Sequence, residues 1–124
     1  MKNVVAMLII GWSVMFSSTA SADGNDLLRE CGAVVSFDEN STLNHALGYN
    51  VGQCIGFLQG ITRLNELYQH KFEGNTYFCI YDHGVDNKHL AKIIVKYLEE
   101  NPEKLHLDAV DLALLALIPK FPCK

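Results

Sequence analysis

The positions of the cysteines constrain this chain more than any other feature of its sequence. All four lie downstream of a short apolar N-terminal segment, and they are Cys31, Cys54, Cys79 and Cys123. The N-terminal segment has the pattern of an export signal, with Lys2 before an apolar run over residues 4–16 and small residues at 20–22. An even number of cysteines in a small exported domain indicates disulfide bonds. We therefore expect a fold that brings the cysteines together in pairs.

We expect signal cleavage after Ala22, which divides the chain into a signal peptide, 1–22, and one domain, 23–124. The apolar run of about 13 residues is shorter than the roughly 20 that a membrane-spanning helix needs, so no membrane insertion is expected after cleavage. Removal of Lys2 leaves 102 residues with nine basic and 14 acidic side chains. This acidic balance does not fit a general nucleic-acid-binding protein.

Hydrophobic periodicity predicts an all-α fold, a compact disulfide-linked domain of four main helices. The predicted helices cover residues 23–35, 43–68, 86–101 and 107–118. We expect Ser41 or Thr42 to cap the second helix and Asp86 to cap the third. The fourth helix is apolar almost all round, which predicts that it is the most buried.

A glycine stripe runs along the second predicted helix at intervals of four residues. Its members are Gly48, Gly52, Gly56 and Gly60. Each glycine costs a helix about 1 kcal/mol relative to alanine. Glycine also lets another backbone approach closely, so we expect the stripe to pack against a neighbouring helix or a second subunit.

The segment 71–85 breaks the helical period and combines turn signals with an extended stretch. Aromatic side chains on a rigid exposed loop are typical of protein-binding sites. The candidate binding residues are Tyr77, Tyr81, Asp82, His83, Gly84 and Val85. The alternative is that Tyr77, Phe78 and Ile80 turn inward to complete a small core.

Other kinds of site find little support in the sequence. The five histidines lack the helical spacing of a zinc site and no Cys-x-x-Cys pair occurs, so we expect no metal and no other cofactor. No nucleophile elbow or phosphate loop is present, and the sequence predicts no enzyme. Lys88, Lys92 and Lys96 form a basic row on the third helix, which is typical of a solvated face.

Four cysteines allow three disulfide pairings. Proximity along the predicted elements favours Cys31 with Cys54, which joins the first two helices, and Cys79 with Cys123, which ties the loop to the C-terminal tail.

Several short motifs stand out along the domain, which are residues 52–57 with Gly60, Cys79-Ile80 followed by Val85, and residues 95–103. The pattern continues through Leu105-His106 and Ala109 to the ending Phe121-Pro122-Cys123, and so covers most of the domain. In these residues the sequence resembles the Rap/Tai family of type VI secretion amidase immunity proteins. One position departs from the family pattern, because Tyr81 stands where the family tends to have a proline soon after the third cysteine.

The resemblance implies an all-helical periplasmic domain with disulfides, commonly a homodimer. It also implies a partner, a secreted peptidoglycan amidase effector whose active-site cleft a protruding loop enters and blocks. A second hypothesis is a periplasmic binding or chaperone-like helical module without a toxin partner, in which a dimer seam along the glycine stripe opens to expose Leu58 and Ile61.

Overall fold

The computed structural model describes residues 21–71, 76–80 and 84–123. Within these ranges the chain forms four α-helices, which are α1 (Gly24–Ser36), α2 (His45–Lys71), α3 (Asn87–Glu100) and α4 (Ala109–Leu117). A short 3-10 helix, Pro102–Lys104, connects α3 to α4. The predicted all-α class with four main helices is confirmed, whereas the predicted signal segment through residue 20 lies outside the described residues.

Helix α1 lies at the centre of the packing, because it contacts both α2 and α3. It begins after Asp23, whose side chain accepts the backbone N–H groups of Asn25 and Asp26. This cap satisfies donors that a helix start otherwise leaves without a partner. The buried side of α1 carries Leu27 and Val34, three or four residues from Cys31, which is the spacing of one helix face.

A disulfide between Cys31 of α1 and Cys54 of α2 crosses the core, and neither cysteine is exposed to solvent. The bond closes a loop with a sequence separation of 23. Chain-entropy arguments give such a bond about 3 kcal/mol of stability. The pairing favoured by the sequence is confirmed here, and Leu58 of α2 is buried in the same core.

One helix cap was predicted at the wrong residue. Asn44, and neither Ser41 nor Thr42, caps α2, because its Oδ1 accepts the backbone N–H of Leu47 at 2.8 Å. Ser41 is engaged in the preceding turn, where its hydroxyl donates to Asp38 Oδ1 at 2.8 Å. At α3 the prediction is confirmed, since Asp86 Oδ1 accepts the N–H of His89 at 2.7 Å.

The prediction that α4 is the most buried helix is confirmed, because five of its nine residues are buried, a larger share than in the other three helices. The helix is nevertheless not buried on every side. One side faces the core with Ala109, Leu112, Ala113, Ala116 and Leu117. The other side leaves Val110, Leu115 and Ile118 exposed. The helix has nine residues and packs chiefly on α3 and α1, so part of its other side is exposed to solvent. No helix in the described ranges is long and apolar enough to cross a bilayer.

Hydrogen bonds at the helix starts and turns lower the pKa of several carboxyl groups. The Ser41 hydroxyl and the Asn40 N–H lower the pKa of Asp38, and the Asp26 N–H lowers the pKa of Asp23. Burial works in the opposite direction at Glu30, whose pKa is raised. A carboxyl whose pKa is lower in the folded state stabilises the fold above its unfolded pKa, and this contribution is lost as the pH falls through the folded pKa.

We therefore expect acid to weaken the fold partly through Asp38. The thermal midpoint of the wild type should fall between about pH 6 and about pH 3, and Asp38→Asn should show a smaller fall, because asparagine accepts the same bonds without titrating. Glu39→Gln is the matched control, an exposed neighbour with the same change in charge. Circular dichroism melts across this range measure the difference, and an equal fall in both variants would contradict the assignment.

Candidate functional site

The candidate binding segment connects α2 to α3, and residues 76–80 form its first described part. They have no regular secondary structure. Phe78 and Ile80 are buried in the core, whereas Tyr77 is 68% exposed. The inward turn considered from the sequence therefore occurs at Phe78 and Ile80 but not at Tyr77. A single short stretch thus anchors itself by two side chains and presents a third to solvent.

The second described part of the segment begins at Gly84. This residue has a φ of 58°, in the left-handed region that glycine adopts without the strain of a Cβ atom. Gly84 is exposed, and Val85 is half-buried and packs against the core. Tyr81, Asp82 and His83 lie outside the described residues, so their place in the binding site stays a prediction.

Asn65 of α2 holds the segment by hydrogen bonds to its backbone. Its Nδ2 donates to the Phe78 carbonyl oxygen at 2.6 Å, and its Oδ1 accepts the Tyr77 N–H at 3.1 Å. It is the one buried polar residue among those the structure describes. Buried polar groups are costly unless they are paired, and here both ends of the amide have a partner. Asn65 therefore fixes the backbone on which Tyr77 is displayed.

The Cys79–Cys123 disulfide fastens the same segment to the C-terminal tail. Beside it, the Cys79 N–H donates to the Phe121 carbonyl oxygen at 2.8 Å, and the Phe121 side chain is buried. The Thr76 hydroxyl lies 3.1 Å from the Cys123 sulfur. The pairing of Cys79 with Cys123, which the sequence also favoured, is confirmed. The segment is thus held on one side by α2 and on the other by the tail.

An apolar pocket adjoins Tyr77 and is called here the α2–α4 pocket. It encloses about 110 Å³ and is lined chiefly by Ile61, Leu64, Tyr68, Tyr77, Val110 and Leu114. Asn65 and Phe78 complete the wall, but both polar atoms of the Asn65 amide are already bonded to the segment. The pocket therefore offers an exposed apolar surface of the kind found at protein-binding sites.

The glycine stripe on α2 faces open space. Apart from the nearby backbone of α2 itself, no described atom lies within 4 Å of the position that a Cβ atom would take at Gly52, Gly56 or Gly60, and at Gly48 the nearest is in the Leu43 side chain at 3.7 Å. No neighbouring helix in the described part of the chain covers the stripe. Of the two explanations offered from the sequence, only a second subunit remains as a prediction.

Sequence analysis missed Asn65 and most of the α2–α4 pocket. A signal for Asn65 existed, because the residue lies seven positions after Leu58 and so on the same helix face. A polar side chain at a core-facing position requires a hydrogen-bond partner. Tyr68 and Val110 are both partly exposed, and periodicity within each helix does not report how α2 and α4 are placed against each other. Among the described residues no group of three or more His, Cys, Asp or Glu is placed to hold a metal ion.

These features define a small, disulfide-linked helical domain that carries a fixed, partly exposed connecting segment. A family model described as Rap1a immunity proteins matches residues 23–123. The chain belongs to this family, and the resemblance to the Rap/Tai immunity proteins is confirmed. No curated protein and no solved structure matches the chain.

Replacing Asn65 should loosen the segment. Asn65→Ala removes both hydrogen bonds and leaves the Phe78 carbonyl buried without this partner, which should lower the free energy of unfolding by about 1–3 kcal/mol. Hydrogen exchange at the Tyr77 amide should accelerate by more than the change in global stability accounts for. Gln59→Ala, on an exposed part of α2, is the control. Unchanged protection of the Tyr77 amide in Asn65→Ala would contradict this role.

Proposed function

We propose that the protein is a periplasmic immunity protein that binds a type VI secreted peptidoglycan amidase, occludes its active site and so protects the cell from self-intoxication. Membership of the immunity family over residues 23–123 is the observation that carries the proposal. The two disulfides fit an oxidising compartment outside the cytoplasm. In this proposal the chain acts by binding and performs no catalysis.

We assign the contact with the amidase to the segment from Tyr77 to Val85. Asn65 and the Cys79–Cys123 bond fix its first half, so little conformational entropy is lost when it enters a cleft. Tyrosine supplies a large contact area with a polar end and is enriched among residues that dominate binding energy. Tyr77 is the exposed tyrosine of the described part, and Tyr81, Asp82 and His83 extend the proposed contact.

The α2–α4 pocket supports a wider contact around this segment. It lies directly beside Tyr77, and its exposed apolar side chains Leu64 and Tyr68 come from α2. Burying apolar surface contributes roughly 25 cal/mol per Å² removed from water. We propose that the amidase covers part of this pocket when the segment enters its cleft.

Truncation of Tyr77 tests the assignment. Tyr77→Ala should weaken inhibition by about tenfold or more, in line with the loss of an interface tyrosine. Tyr49→Ala is the matched control, since Tyr49 is 62% exposed and lies near the start of α2, whereas the α2–α4 pocket lies toward the end of that helix. The double variant Tyr81→Ala with His83→Ala should weaken inhibition as well. Each oxidised protein is titrated into type VI peptidoglycan amidases, and hydrolysis of peptidoglycan is followed.

The possible outcomes test the proposed immunity function and the assignment of the binding segment separately. Inhibition of an amidase that is equally strong with Tyr77→Ala and with the double variant would remove the segment assignment but keep the immunity function. If no amidase is inhibited, the function itself fails and the alternative, a binding or chaperone-like module, takes its place. The exposed α2–α4 pocket favours that alternative, although Leu58 is fully buried within one chain and would not be exposed by separation of a dimer.

We further propose that the protein forms a homodimer along the glycine stripe. Among the described residues, Gly52, Gly56 and Gly60 have no intramolecular neighbour that would require glycine, although each weakens α2. A second copy of α2 approaching closely over the stripe supplies a reason for them.

Replacing a glycine of the stripe by alanine distinguishes a dimer interface from an uncovered helix face. On an uncovered helix Gly56→Ala should raise stability by about 1 kcal/mol, whereas at a dimer seam it should weaken the dimer. We expect the second result, measured as a shift toward monomer in analytical ultracentrifugation. Gly32→Ala on α1, where a Cβ also meets nothing within 4 Å, is the control and should not change the oligomeric state. A wild-type protein that sediments as a monomer would refute the seam.

A further inference from the structure

Besides the α2–α4 pocket the domain has a groove, called here the α3–α4 groove, between α3 and the C-terminal end of α4. It encloses about 600 Å³, and none of its lining residues belongs to the α2–α4 pocket. The floor is apolar, with Ile93 and Tyr97 half-buried on α3 and Leu115 49% exposed on α4. These side chains form a continuous depression that no described part of the chain fills.

The rim of this groove is basic although the protein is acidic. Lys96 and Lys120 line it with one acidic residue, Glu100, which gives a formal charge of +1 when His89 is counted as neutral. Lys96 Nζ lies 3.8 Å from Glu100 Oε1, but both side chains are more than half exposed, so the pair contributes little. The whole chain carries a formal charge of −4. The positive charge around the groove therefore differs in sign from the protein as a whole.

The basic row that the sequence suggested to be a solvated face meets this groove at Lys96, whereas its first member, Lys88, donates to the Phe37 carbonyl oxygen at 2.6 Å. Lys92 lies one helical turn before Lys96 on the exposed side of α3. A lysine row alone is an ordinary solvated surface. Here it borders an exposed apolar floor, and the two together distinguish this side of the domain from a solvated helix face.

We propose that the α3–α4 groove binds an acidic segment of a partner protein that also carries apolar side chains. Carboxylates on the segment complement Lys96 and Lys120, and its apolar side chains cover Leu115, Ile93 and Tyr97. Charge complementarity of this kind guides association and selects among partners, while the apolar floor supplies affinity. The proposal does not rest on amidase inhibition, because the groove shares no residue with the segment from Tyr77 to Val85.

A labelled peptide serves as the probe. The oxidised, exported protein is titrated against a short fluorescein-labelled peptide rich in glutamate that carries a Leu-Phe pair, and fluorescence anisotropy follows binding. Binding should saturate. Lys120→Glu should weaken it by about tenfold, whereas Lys71→Glu, the same charge change at the exposed end of α2, should change it by less than about twofold.

A second matched pair of variants tests the apolar floor of the α3–α4 groove. Leu115→Ala should weaken binding several-fold, and Leu67→Ala, which removes a leucine 44% exposed on α2, should leave it unchanged. A peptide with serine in place of the Leu-Phe pair should bind more weakly. The proposal is overturned if no saturable binding occurs, if Lys71→Glu and Lys120→Glu act equally, or if the serine peptide binds as tightly, because the last two results indicate attraction to charge alone.

Discussion

The disulfide between α1 and α2 is the constraint on which the rest of the structure depends. A domain of about a hundred residues buries a limited core, and a covalent bond inside that core reduces the conformational freedom of the unfolded chain. Cys31 and Cys54 meet where Leu27 and Leu58 are also buried. With these two helices joined, α3 packs against α1 and α4 packs against α3, so each later helix adds to a surface that is already fixed.

Much of the helical framework was predictable because its signals are local. Asp86 precedes the periodic pattern of α3, and Asn101-Pro102 follows it, so capping and helix termination could be recognised from the sequence alone. The cap of α2 was assigned wrongly because Ser41, Thr42 and Asn44 all have suitable side chains. The choice among them depends on the Asp38–Ser41 turn, which engages one candidate before the helix begins.

The candidate site was harder to predict because it depends on contacts between residues distant in the sequence. Tyr77 and Phe78 are neighbours with similar side chains, yet one is exposed and the other buried. What separates them is Asn65, twelve or more positions earlier, which binds the backbone of both. Periodicity likewise identified α4 as apolar, but only the packed arrangement shows that Val110 and Leu115 remain partly exposed.

The two disulfides also differ in when both of their cysteines become available as the chain is made. Cys54 follows Cys31 by 23 positions, so this pair becomes available while most of the chain has yet to emerge. Cys79 can reach its native partner only when Cys123 has followed, 44 positions later. A chain interrupted before residue 123 would keep the bond between α1 and α2 but lack the bond beside Tyr77. The Cys79–Cys123 bond, which fixes the connecting segment, therefore forms late, after the C-terminal helix has been made.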